Sequence, residues 1–356
     1  MGDRRQQFGE RLLGSVSGAF DIAAAYFGIR LGLYRSLADD GPATSTELAG
    51  RTGTDERMVR EWLEQQGATE VLDVDRDGDG TLRFALPPEH AAVLLDPTAL
   101  DGMAGSIRSL MAELCMVPRL LDTFRTGVGI PYADYGPDES EGQAMSSRPL
   151  YEAEVASWLR AVPGIGSRLA AGDGAGVRLL DIGCGSGWSS VNMAKAWPAL
   201  VVDGVDLDAA SIAAARANAE AEGVADRVRF EVQDAAELAG AGYDLATMFE
   251  MLHDLARPLE ALAAARAAVG DDGVVLVADE RTRDSYELPA TPIEQRHYGW
   301  SLLHCLPAAL TVPDSAATGT VIRPTTVRTY ATRAGFRQTT LLPLHSEAFH
   351  LYVLHP

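Results

Sequence analysis

Residues 177–188 read VRLLDIGCGSGW, a short apolar run that stops on three glycines with one residue between each pair. Val177, Leu179, Leu180 and Ile182 suit a buried parallel strand. Gly183, Gly185 and Gly187 then make a tight turn whose main chain a ligand can approach, because no Cβ stands in the way. Ser189 and Ser190 open a helical pattern, SSVNMAKAW, so the turn sits on a helix N-terminus where unpaired amides collect. The dinucleotide fingerprint G-x-G-x-x-G fails, since its third glycine falls on Trp188. Asp181 ahead of the turn would repel a pyrophosphate but suits a ligand carrying an ammonium group.

The string LLDIGCGSG resembles motif I of the class I S-adenosylmethionine (SAM) dependent methyltransferases, in which the glycine turn holds the methionine end of the cofactor. Downstream strands supply partners for a nucleoside. LVVDGVDLD runs apolar to Asp206, and a carboxylate at that strand tip can accept both ribose hydroxyls. VRFEVQDA brings Asp234 to the tip of a third strand, where the resemblance implies an acceptor for the adenine amino group. It also implies cofactor contacts at Cys184, Leu207, Ala235 and Phe249. GYDLATMFEML and GVVLVADE are the fourth and fifth strands, and alanine-rich helices lie between. The fold class expected is α/β, a Rossmann-like seven-stranded domain.

With 356 residues, 47% of them hydrophobic, the chain has enough material for two cored domains. A formal charge of -20 disfavours nucleic acid and acidic membrane surfaces as partners. Cys115, Cys184 and Cys305 are too few and scattered for a disulfide framework, which points to a reducing cytoplasm. No run is expected to reach membrane-spanning length, and the protein reads as soluble and intracellular.

Apolar positions recur at helical spacing over residues 8–38, a wide stripe that a second subunit could cover. A capped helix, a glycine-containing turn and a second helix then form a helix-turn-helix, and VLDVDRDGDGTLRFAL completes a winged helix. The second helix carries Asp55, Glu56, Glu61 and Glu64 against Arg57 and Arg60, which argues against reading DNA. DVDRDGDG lacks the glutamate of a calcium loop, because the twelfth position is Phe84 or Leu86, and it reads as a solvated hairpin tip. Residues 126–149 read as loop, a helix follows over about 150–159, and residues 164–176 read as a glycine-rich joint. A mainly helical winged-helix domain before a class I domain is similar to the two-domain small-molecule O-methyltransferases and keto-acid C-methyltransferases. That resemblance divides the chain into a dimerisation and substrate-lid domain, 1–165, and a SAM-binding domain, 166–356, acting as a homodimer on a small molecule.

Methyl transfer from a sulfonium is an in-line displacement, so a hydroxyl acceptor must be aligned and deprotonated. FEMLHDLARP sets Glu250, His253 and Asp254 beyond the fourth strand. Asp254 could simply cap the next helix, with His253 packed beside it. The resemblance instead makes the histidine of L-H-D the general base, so His253, Asp254 and His304 are the catalytic candidates. No second carboxylate that would orient His253 is evident in the sequence. Residues 281–324 form an insertion holding His297, Tyr298, Trp300, His304 and Cys305, the composition of a substrate lid. The spacing of His253 and His304 is similar to that in the keto-acid C-methyltransferases, where two histidines bind a metal. Iron or zinc on those two residues is therefore an alternative, as is a SAM-sensing winged-helix regulator. His345, His350 and His355 read as surface or strand-edge residues.

Overall fold

The computed structural model describes residues 2–238, 242–344, 346 and 348–356. The chain divides into two compact units: one runs to Ala112 and includes Pro137–Pro149, and the other comprises Glu113–Gly136 and Leu150–Pro356.

In the first unit, helix Gly2–Arg30 is followed by Leu33–Asp40, with Gly32 at φ 69° making the turn between them. Thr44 and Glu47 build a reciprocal capping box that starts helix Ser45–Thr52, Gly53 ends it in the left-handed region, and Asp55 caps helix Glu56–Ala68. The wing is an antiparallel pair, β1 (Asp73–Arg76) and β2 (Leu82–Ala85). Tyr34, Leu48, Trp62, Leu63 and Phe84 form the core beneath it. Helix Gly2–Arg30 corrects one expectation: its stretch Asp3–Arg30 is long and apolar enough to cross a membrane by length and composition. Ile22, Ile29 and the alanines between the phenylalanines raise its mean hydropathy.

A second correction concerns residues 126–149, expected as loop. Gly136 ends a 3-10 turn, Tyr132–Tyr135, and a 25-residue helix begins at Pro137 and runs to Ala161. Proline suits a first helical position, and Asp138 and Glu139 favour the positive end of the helix, so residues that look like loop punctuation are a start signal here. The supposed joint likewise holds a helix, Ile165–Ala171.

The second unit contains a seven-stranded sheet: β3 (Arg178–Ile182), β4 (Val201–Asp206), β5 (Val228–Val232), β6 (Leu245–Phe249), β7 (Val274–Glu280), β8 (Gln338–Leu341) and β9 (Phe349–His355). The order is β5-β4-β3-β6-β7-β9-β8, parallel through β7, with β8 and β9 antiparallel. The order reverses between β3 and β6, and open α/β sheets bind ligands beyond the strand ends at such a point. Both faces are covered. Trp158, Leu159, Met193, Trp197 and Ile212 lie in one buried layer, and Leu262, Ala265, Val327 and Tyr352 in the other.

Candidate active site

The glycine turn is held from two sides. Asp181, at the end of β3, is almost fully buried and accepts hydrogen bonds from Ser189 Oγ (2.6 Å), Ser190 Oγ (2.6 Å) and Thr247 Oγ1 (2.7 Å). Burial pushes its pKa up, while the three hydroxyls oppose that shift. The carboxylate thus ties β3 to helix Trp188–Ala196 and to β6. From the other side Asp206, at the tip of β4, accepts from the Gly185 amide (2.8 Å) and the Asp208 amide (2.8 Å). The Leu207 amide also bears on this carboxylate, which can accept about four hydrogen bonds.

Gly183, Gly185 and Gly187 all have positive φ, 69°, 52° and 79°. A Cβ on Gly183 would meet Met251, and one on Gly187 would meet Phe230 and Ala215. Gly185 differs: no atom lies within 4 Å of where its Cβ would stand, so its backbone borders open space. Cys184 is buried, its thiol pushed upward by burial, and Leu207 beside Asp206 is 71% exposed. Asp234 caps the short turn Ala235–Glu237 and is 2.6 Å from Arg257. Ala235 is buried in that turn. Phe249 is buried among the rings of Tyr151 and Trp158, so it supports the β6 end from the core.

Beyond β6 the chain makes a 3-10 turn, Leu252–Asp254. His253 is buried there, and Asp279 near the end of β7 grips it twice: Oδ1 is 2.7 Å from the ring Nδ1 and Oδ2 accepts from the His253 amide at 3.2 Å. This is the orienting carboxylate that the sequence did not reveal. An ionised carboxylate only accepts, so Nδ1 carries the hydrogen and Nε2 is left as the site of proton exchange. Asp254 Oδ1 stands 3.2 Å from Nε2 without making a hydrogen bond. Burial alone would lower the His253 pKa, but the charges of Asp254 and Asp279 outweigh it and hold the ring well above the ordinary histidine range.

Glu250, just past β6, has φ 54°, a conformation rare for a residue with a side chain, and accepts from Tyr151 OH at 3.0 Å. Burial raises its pKa and that of Glu280. The insertion contributes helix Pro292–Trp300 and the π-helical turn Ser301–Cys305. Cys305 Sγ, His253 and Asp254 offer atoms within 4.8 Å of one another. His304 packs edge-on against Tyr135 and near Tyr132, with ring centroids 4.6 and 5.6 Å away, and burial lowers its pKa. His304 also has a carboxylate neighbour, since Glu113 offers an oxygen within 4.8 Å of its ring nitrogen. His350 and His355 are half-buried in β9, an inner strand, and not at an edge; His345 lies outside the described residues.

The profile of a methyltransferase-domain family matches residues 153–341, more than half of the chain. The chain belongs to this methyltransferase family. Residues 22–95 match an Rv2258c-like winged helix-turn-helix domain. Among curated relatives, a ubiquinone biosynthesis O-methyltransferase of Neisseria meningitidis is 35% identical over 103 residues, which is 28% of this chain and 42% of that protein. The chain thus spans less than half the length of the curated relatives it matches. The mitomycin 7-O-methyltransferase MmcR has the same fold, with TM-score 0.73, 19% identity and all of both chains covered. Human N-acetylserotonin methyltransferase, solved with SAM, does too, with TM-score 0.71, 16% identity and coverage of 98% of this chain and 97% of that one.

Proposed function

We propose that this methyltransferase uses SAM to methylate a hydroxyl of a small molecule, with His253 as the general base. The observation that carries the reading is the Asp279–His253 pair, which fixes the imidazole and leaves Nε2 to take a proton. The open space at Gly185, beside the Asp206 carboxylate, suits a nucleoside cofactor with an exposed amino-acid end. Gly183, Gly185 and Gly187 would hold that end, Asp206 the ribose, and Leu207, Asp234 and Ala235 the base. Asp181 and Cys184 would act by fixing the turn. When bound, SAM supplies an electrophilic methyl on a sulfonium. His253 removes the acceptor's proton, and Asp279 stabilises the imidazolium that results. Two of the similar proteins are named for oxygen acceptors, which supports a hydroxyl. Methyl-labelled SAM incubated with a panel of phenols and alcohols should yield a labelled methyl ether and S-adenosylhomocysteine (SAH) in the wild type. His253→Ala should still bind SAH but transfer nothing. Transfer that persists in His253→Ala contradicts the base assignment.

We further infer a homodimer, with residues 1–165 serving dimerisation and the substrate lid and 166–356 the cofactor. Phe8, Leu12, Leu13, Val16 and Phe20 are exposed along helix Gly2–Arg30, an apolar face that a second copy would cover. Light scattering should give twice the 37.9 kDa of one chain, and a single-chain mass contradicts this. Three free cysteines suit a reducing cytoplasm.

A further inference from the structure

Four carboxylates surround the base. Glu250, Asp254, Asp279 and Glu280 sit at the ends of β6 and β7 and interact electrostatically with His253 and with one another. Among the described residues, none of the four has a lysine or arginine as an ion-pair partner; their close partners are His253, His297 and Tyr151. One imidazolium balances one carboxylate, and the cofactor's sulfonium would balance a second. Burial favours the neutral forms of Glu250 and Glu280, so what the corner keeps in excess is carboxyl oxygens able to accept hydrogen bonds.

The second observation is His297, on helix Pro292–Trp300. Only 3% of it is exposed, yet neither ring nitrogen makes a hydrogen bond, and Nε2 approaches Glu280 Oε2 at 3.4 Å. Burial pushes its pKa down to about 4, so at neutral pH the ring is uncharged and offers a lone pair. Asp254 Oδ1 is a further buried oxygen with no hydrogen bond. A buried polar atom left without a partner is costly, so such groups mark where a ligand completes the set. What this corner lacks is hydrogen-bond donors.

We propose that the hydroxyl-bearing acceptor also carries a protonated amine, which donates to Glu280, His297 and Asp254 while the hydroxyl faces His253. This rests on the SAM-dependent reading above and adds the substrate's charge class. An aliphatic ammonium has three donors and no acceptor, the complement of what these residues present. A neutral acceptor would leave the acceptors unpaired, and a carboxylate-bearing acceptor would meet like charge.

The test titrates the SAH-saturated full chain by calorimetry with three phenols of similar size. Tyramine is cationic, tyrosol neutral, and 3-(4-hydroxyphenyl)propionate anionic. Tyramine should bind at least about tenfold more tightly than tyrosol, with the propionate weakest, and Glu280→Gln should shrink the preference for tyramine. Equal affinities, a preference for the anion, or no binding by any of the three while SAH binds normally each overturns the proposal. Failure of SAH itself to bind would instead strike the underlying cofactor reading. The wild-type ranking decides the matter, so a Glu280→Gln chain that fails to fold does not rescue it.

Discussion

Two buried acidic corners of the sheet, Asp181 at the end of β3 and the carboxylates around His253 past β6 and β7, handle similar chemistry in opposite ways. Asp181 has three hydroxyl donors. At the other corner Asp254 Oδ1 and both ring nitrogens of His297 make no hydrogen bond, and Glu250 adopts a left-handed backbone conformation. Satisfied groups make a rigid frame; unsatisfied and strained ones accumulate where a ligand is expected to complete them. The first corner holds the glycine turn in shape, and the second is where the proposed chemistry would take place.

Substitutions should separate the two corners. The largest effect is expected at Asp279: Asn in its place presents the wrong hydrogen-bonding partner to Nδ1, and the methyl-transfer rate should fall by about 10²–10⁴-fold with little change in SAH affinity. A comparable loss of SAH affinity would move Asp279 from the base to the cofactor. Gly185→Val comes next. A β-branched residue is strained at φ 52° and its side chain would enter the open space, so SAH affinity measured by calorimetry should drop by at least about 100-fold.

Asp181→Ala should act on stability instead, costing about 2–4 kcal/mol in urea unfolding because three buried hydroxyls lose their acceptor. A stable Asp181→Ala protein that has lost SAH binding would show that this carboxylate meets the ligand after all. The smallest effect concerns pH. His253 has a raised pKa in the folded chain, so it is the protonated form that folding favours; that stabilisation is present below the ordinary histidine value and fades as pH rises through the raised one. A histidine base works only when neutral, so with His253 in the proposed role kcat/KM should climb with pH on the alkaline side of the ordinary range. Asp254→Asn removes the first-ranked of the two charges that raise the pKa and should move that limb to lower pH. A limb that stays in place would mean another group controls it.

Much of the first corner was legible in the sequence because it is local. The glycines, Asp181 and the two serines lie within ten residues, and the Gly185–Asp206 contact spans one strand-helix-strand unit. The second corner is assembled across the sheet. Asp279 follows His253 by 26 residues with a whole helix between them, and its place at the end of a strand looked like any strand-tip acid until β6 and β7 were paired in register. His297 arrives from the insertion, where periodicity says nothing about which nitrogen finds a partner. The hydroxyl partners of Asp181 were partly hidden for a related reason: two of them follow it closely in the chain, but the third, Thr247, lies on β6. Gly136 and Pro137 looked like loop residues because proline both breaks helices and begins them, and only the following turn distinguishes the two.

The most direct test of the central claim is calorimetric titration of the full chain with SAH, comparing wild type with Asp206→Ala. One SAH per chain, with at least about a tenfold weaker affinity in the variant, is the result predicted for a cofactor held at the β3 turn and the β4 tip. No binding by the wild type, or identical binding by Asp206→Ala, would contradict it.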